Sequence, residues 1–222
     1  MSPNTRSTTA GQAIYTRRNL RLYDLLVVHA SNRLLWRCPA TVLLADYQRH
    51  VSGNHLDIGV GTGYFLDRCR FPVPQPRLHL LDLNADSLAH TARRVARYRP
   101  TSHRADILAG PVLPDEAPFR SIAMNYLLHC LPGPMREKAR AFDPLRPLMT
   151  PDSVLFGATI LSEGVTRSAL AKQVMAQYNA RGIFDNASDD LTTLQAALHE
   201  RFHHVEVAVT GCVARFAVST WR

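Results

Sequence analysis

The chain has 222 residues, a length that suits one domain and buries roughly 70% of its unfolded surface without disulfide or metal staples. Apolar residues make up 46% and charged residues 20%, which excludes the disordered, collagen-like and disulfide-scaffold classes. The net charge is +8, almost all of it from dispersed arginines, since Lys138 and Lys172 are the only lysines. That balance admits nucleic acid or acidic small molecules as partners, but the scatter reads mostly as solvated helix faces. No apolar run approaches the ~18–20 residues of a membrane helix, and the polar start Met1-Ser2-Pro3-Asn4-Thr5-Arg6 lacks a signal-peptide centre. Cys38, Cys69, Cys130 and Cys212 form no CxxC pair, and the ten histidines show no HExxH spacing. No metal site is expected, and the thiols suit a reducing cytoplasm.

Residues 1–12 are polar. From Tyr15 to about Val51 the pattern is helical, with Leu20, Tyr23, Leu26 and Val27 on one stripe and Pro39 opening a helix over 40–50. At His55 the period changes. Residues 56–60 read as a buried strand entering a glycine-rich turn, and 64–70 as the helix after it. Strands are then expected at 77–82, 102–107, 119–125 and 153–160, with helices over 86–98, 136–148, 165–179 and 191–202. The chain closes with β-rich stretches at 205–209 and 212–220, too close together for a parallel crossover, so they form a hairpin. The expected fold is α/β: a Rossmann-like doubly wound sheet, mostly parallel, with a C-terminal antiparallel hairpin and N-terminal helices in front.

The strongest motif is Asp57-Ile58-Gly59-Val60-Gly61-Thr62-Gly63, between a strand and a helix. Glycines there let the backbone turn sharply and approach a ligand closely, and the helix offers free N–H groups. The spacing is not GxGxxG, because Tyr64 holds the place of the third glycine, and no GK[ST] follows. Asp57, two residues before Gly59, would repel a pyrophosphate and attract an ammonium. Asp82, at the end of the second strand, suits the two hydroxyls of a ribose, and Leu83 beside it suits a purine face. Asp106 suits an exocyclic amine, and the N–H of Ile107 a ring nitrogen. An amino acid, a ribose and an adenine in that order describe S-adenosylmethionine.

From about residue 55 to 220 the chain resembles the class I S-adenosylmethionine-dependent methyltransferases. DIGVGTG is similar to their first motif, LLDLNADSL to the second and RADIL to the adenine-contacting one. SIAMNYLLHCLP, from Ser121 to Pro132, is similar to the fourth-strand motif of small-molecule members. Residues 144–161 resemble the following helix and strand, with Pro151-Asp152-Ser153 replacing the usual proline-glycine-glycine turn. The whole chain looks closest to a group of short bacterial methyltransferases. The resemblance implies a small-molecule acceptor with an oxygen, nitrogen or carbon nucleophile, and no nucleic-acid or membrane partner.

Methyl transfer needs the nucleophile held in line, ~3–3.5 Å from the methyl carbon. His129 is the candidate base, or else a packing residue at a helix start. Tyr126 is a candidate for orienting substrate or lying beside the sulfonium. Asn125 reads as a cofactor contact or a backbone-fixing residue. Residues 1–50 are expected to form a lid over the domain at 51–222. On that lid Tyr15 and Tyr23 are candidate substrate contacts, Trp36 a packing residue, and Arg33 and Arg37 contacts to an anionic acceptor. Three other readings stand beside this one: a nucleic-acid methyltransferase, a non-enzymatic binding module, and a cofactor-retaining enzyme of a different reaction. The first would carry [DNS]PP[YF] where this chain has Asn125-Tyr126-Leu127-Leu128, and Cys130 is not preceded by proline. The second would favour a degraded glycine loop, and all three glycines are intact.

Overall fold

The computed structural model describes residues 31–222 apart from 111 and 114. Seven strands form one sheet: β1 (Asn54–Ile58), β2 (Arg77–Asp82), β3 (Thr101–Arg104), β4 (Phe119–Asn125), β5 (Met149–Ile160), β6 (Phe202–Thr210) and β7 (Val213–Trp221). Their order is β3-β2-β1-β4-β5-β7-β6. The first five run parallel, and β7 is antiparallel to both β5 and β6. The expected sheet and its closing hairpin are both present. The chain winds outward from β1 to β3, then returns to place β4 on the other side of β1. The strand order therefore reverses at β1, which is where open α/β sheets hold ligands.

The central strands read as continuous apolar runs because both faces are covered. Alternate residues part cleanly: Leu78 and Leu80 point into one layer, Leu81 into the other. On the first face lie α1 (Ala40–His50), α2 (Tyr64–Arg68) and α3 (Ala85–Arg94), with Tyr47, Leu66 and Leu88 in the core. On the second lie the segment after β4 and α6 (Leu191–His199), which bring Phe142, Leu145 and Leu194 against Ile122 and Phe216. A third apolar cluster joins α5 (Ala169–Ala180) to Trp36, Phe184 and the start of β7.

Several boundaries depart from the sequence reading for local reasons. The expected helix over 136–148 is one α turn, α4 (Met135–Lys138), followed by 3₁₀ turns at Ala139–Ala141 and Asp143–Leu148. Pro144 and Pro147 lack the N–H groups an α-helix needs. β3 stops at Arg104 because Asp106 turns the chain, its Oδ1 accepting the Leu108 N–H at 2.9 Å. The helix expected from residue 165 starts at Ala169, where Ser168 accepts the Ala171 N–H, a cap worth about 1 kcal/mol. Much of the expected lid, residues 1–30, lies outside the described residues. The described part of it is packed into the fold. Trp36 is buried and its carbonyl accepts the Cys212 N–H at 2.8 Å, while Tyr47 on α1 lies in the core. No described helix is long and apolar enough to cross a membrane.

A buried ion pair fastens the second face. Lys138 donates to Asp189 Oδ2 and to the Asp185 carbonyl, each at 2.6 Å, and both charged side chains are fully buried. Burial lowers the lysine pKa and raises that of the aspartate.

Candidate active site

A cleft of about 700 Å³, open mouth included, lies over the carboxyl ends of β1, β2 and β4. Ile58, Gly59 and Gly61 line it from β1 and its turn, and Asp82, Leu83 and Asn84 from the end of β2. Asp106 and Ile107 close one side, and Tyr126 and Leu127, past β4, the other.

The glycines differ in what they do. Gly61 has φ +51°, and a Cβ built on it would meet nothing within 4 Å. Its missing side chain keeps open the space a ligand would fill. Gly63 has φ +71°, and a Cβ there would lie 2.7 Å from Thr91 Cγ2. That glycine serves the packing of the turn on α3.

Asp82 lies at the tip of β2. Its Oδ1 accepts the Asn84 N–H at 2.8 Å, and the N–H groups of Gly61 and Val60 also bond to the carboxylate. Burial outweighs these bonds and pushes its pKa up to about 6, with the nearby Asp57 charge adding to the rise. Asn84 caps α3, its side chain accepting from the Asp86 and Ser87 N–H groups. The Asx turn of Asp106 holds that carboxylate at the cleft wall next to Ile107, which is buried.

Asp57 does not line this cleft. It is buried beneath the glycine turn and ends a chain of hydrogen bonds from α1 and β4. The Ser52 N–H donates to Ser121 Oγ at 2.9 Å, and Ser121 Oγ lies 2.8 Å from His55 Nδ1. His55 Nε2 lies 2.8 Å from Tyr47 Oη, which donates to Asp57 Oδ2 at 2.5 Å. The Ser52 hydroxyl is committed to the Asn54 carbonyl. Ser121 Oγ also lies 2.8 Å from Ser52 Oγ, and one arrangement that joins the chain is Ser121 O–H to His55, His55 Nε2–H to Tyr47 and Tyr47 O–H to Asp57. In that arrangement every dipole points toward the carboxylate.

Tyr126 follows β4 with φ +59°, a strained conformation for an aromatic residue. Its N–H bonds to the Ala158 carbonyl at 2.7 Å, which fixes the turn that aims it at the cleft. Asn125, one residue earlier, pairs with Ala158 in the β4–β5 register and is not among the lining residues.

The expectation for His129 needs correcting. The residue is buried at 2% exposure and does not line the cleft. Its Nδ1 accepts the Ile160 N–H at 3.3 Å, and its ring packs edge-on to Phe184 with centroids 4.5 Å apart. Burial, helped by the Lys138 charge, lowers its pKa to about 3. It is a neutral packing residue rather than a general base.

Arg33 and Arg37 are exposed and do not line the cleft. Tyr15 and Tyr23 lie outside the described residues. Sequence reasoning missed Asn84, Leu127 and Cys130 as lining residues. Asn84 carried a signal, since Asn before an acidic residue and a helical run is a cap. Leu127 and Cys130 carried none, because apolar lining looks like core. Tyr47 was missed because its partner Asp57 is met only once α1 packs on β1.

A family model described as a methyltransferase domain matches residues 56–155. Demethylluteothin O-methyltransferase of Streptomyces thioluteus is 42% identical over 91% of this chain and 88% of its own length. The chain belongs to the S-adenosylmethionine-dependent methyltransferases. A physcion biosynthesis cluster O-methyltransferase of Aspergillus chevalieri is 37% identical over 96% of each chain. Among solved structures, the N-methyltransferase NodS from Bradyrhizobium japonicum WM9, in complex with S-adenosyl-L-homocysteine, superposes with a TM-score of 0.63. It is 18% identical, with 94% of this chain and 98% of that one covered, a likeness of fold. The methyltransferase uses S-adenosylmethionine and transfers its methyl group to a small molecule. The cleft suits that cofactor: the space above Gly61 is open, an acid stands at the tip of β2, and apolar walls adjoin it.

Proposed function

We propose that this chain methylates an ionisable hydroxyl, phenolic or enolic, on a small acceptor. When bound, S-adenosylmethionine supplies an electrophilic methyl group on a sulfonium. In this reading Asp82 accepts from the ribose hydroxyls, Leu83 and Ile107 flank the adenine, and Asp106 takes its amine. Gly59, Gly61 and Gly63 shape the turn beside the amino-acid end. Asp57, oriented by the Tyr47 hydroxyl, faces that end from beneath the turn. Asn125 fixes the backbone that aims Tyr126 beside the transferring methyl. Tyr126 excludes water and orients the acceptor.

The observation that carries the acceptor class is that no base lines the described part of the cleft. Among the described residues lining the cleft, apart from the carboxylates given to the cofactor, none is a base near neutral pH. Burial pushes the Cys130 thiol up to about 12, and His129 is withdrawn into the core. An acceptor that ionises by itself needs no base. The O-methyltransferase relatives support the same reading. The anionic character of the acceptor then belongs to its own oxygen, with no role for Arg33 or Arg37.

The test is a series of phenols of one shape and graded acidity, followed with labelled S-adenosylmethionine. The rate should rise with pH through each phenol's own pKa, and the label should end on oxygen. A rate tied to one fixed pKa for every acceptor would show a protein base and overturn the reading.

A further inference from the structure

At the edge of the sheet beyond the cleft, two histidines and a glutamate converge. The β2–β3 register pairs Leu81 with His103, so His79 and His103 are diagonal neighbours on one face. Their rings stack, with centroids 5.0 Å apart and planes 13° apart. His79 Nδ1 lies 2.9 Å from His103 Nε2. Glu116 reaches them from the segment between β3 and β4, its Oε1 3.7 Å from His79 Nδ1. One donor atom from each of the three lies within 4.8 Å of the others.

The surroundings hold this arrangement. Arg77 donates to the other glutamate oxygen, Oε2, at 2.6 Å, and also to Asn54 Oδ1 at 2.8 Å and the Ala117 carbonyl at 3.1 Å. Its charge is taken up there, and Oε1 is left turned toward the imidazoles. Phe119 backs the His79 ring edge-on at 5.1 Å. The two facing nitrogens share one hydrogen bond, which an ion would replace by taking both lone pairs.

We propose that His79, His103 and Glu116 bind one divalent transition-metal ion through two imidazole nitrogens and one carboxylate oxygen. Metal–imidazole bonds are about 2.0–2.1 Å long. Two nitrogens 2.9 Å apart then subtend about 90° at the ion, the angle of tetragonal nickel or copper. An opening of a few tenths of an ångström at the edge strand gives the tetrahedral angle of zinc. Arg77 on the ligating carboxylate is an outer-shell contact that fixes its orientation. The ion would tie Glu116 to the sheet edge, closing the far end of the segment that begins with Asp106 and Ile107 at the cleft. The role is structural, since the three ligands stand apart from the lining of the cleft.

The test is calorimetric titration of the metal-free full chain with zinc chloride and with nickel chloride in a non-chelating buffer. Cobalt(II) absorption in the visible gives a second readout. One equivalent should bind, with affinity falling tenfold or more in His103→Gln and again in Glu116→Gln, and unchanged in His203→Gln. The cobalt band should be lost in the first two variants alone. Retained affinity for S-adenosylmethionine in each variant shows an intact fold. No stoichiometric binding, or binding untouched in both His103→Gln and Glu116→Gln, would leave the imidazole pair as a hydrogen bond and overturn the proposal.

Discussion

Tyr47 on α1 donates its phenolic proton to Asp57 on β1, ten residues later in the chain and under the glycine turn. Burial and the adjacent carboxylate hold the tyrosine pKa well above its ordinary value, so the proton stays on the phenol. Tyr47→Phe removes the donor and leaves both the carboxylate and His55 short of a partner. The expected loss is about 1–3 kcal/mol of stability, with weaker binding of S-adenosylmethionine. Urea unfolding and calorimetry would measure both. Wild-type values for each would deny the pair a role.

In the proposed reading Asp82 trades stability for binding. Its pKa rises from 3.8 to about 6 in the fold. The folded state thus holds this proton more tightly than the unfolded chain does. That contribution favours folding below pH ~4 and is lost as the pH climbs through 6. At pH 7.5 the cofactor-free fold carries the cost of a desolvated charge. Asp82→Asn should raise the melting temperature of the cofactor-free protein by a few degrees and weaken cofactor binding tenfold or more. Wild-type affinity for the cofactor should fall as the pH drops below 6, and that dependence should vanish in the variant. Calorimetry between pH 5 and 8 checks both.

Two glycines should fail differently. Gly61→Ala places a methyl in the open cleft at positive φ. It costs about 1 kcal/mol in the fold, and its larger effect should be on cofactor affinity. Gly63→Ala drives a methyl into Thr91 and should cost several kcal/mol, strain and overpacking together. Pairing thermal unfolding with calorimetry separates them. Equal losses in both readouts would remove the distinction.

Breaking the Lys138–Asp189 pair from one side should be worse than removing it. Lys138→Met leaves a buried, uncompensated carboxylate and should cost about 3–5 kcal/mol, while Lys138→Met with Asp189→Leu should recover most of that. Denaturant unfolding of the two variants decides it. A single variant no worse than the double would show the pair to be uncoupled.

The sheet was legible because its strands are apolar runs ended by glycine, proline and aspartate, and because only a hairpin fits between 209 and 212. Asp82 and Gly61 were legible because strand ends concentrate chemistry at a reversal of strand order. The helix over 136–148 was misread because its apolar spacing is helical, yet Pro144 and Pro147 force 3₁₀ turns. His129 looked like a base because its place after β4 is right. The 3₁₀ turn at Leu128–Cys130 carries its ring into the core beneath Phe184. The pairing of Tyr47 with Asp57, and of His79 with His103 and Glu116, depends on packing between elements far apart in the chain, which no local pattern encodes.

The cleft over the carboxyl ends of β1, β2 and β4 is the proposed cofactor site. Crystals grown with S-adenosylhomocysteine test it most directly. The ribose hydroxyls should lie within hydrogen-bond distance of Asp82, the adenine between Leu83 and Ile107, and the homocysteine chain over Gly61. Density for the ligand elsewhere, with Asp82 and Gly61 untouched, would contradict the account.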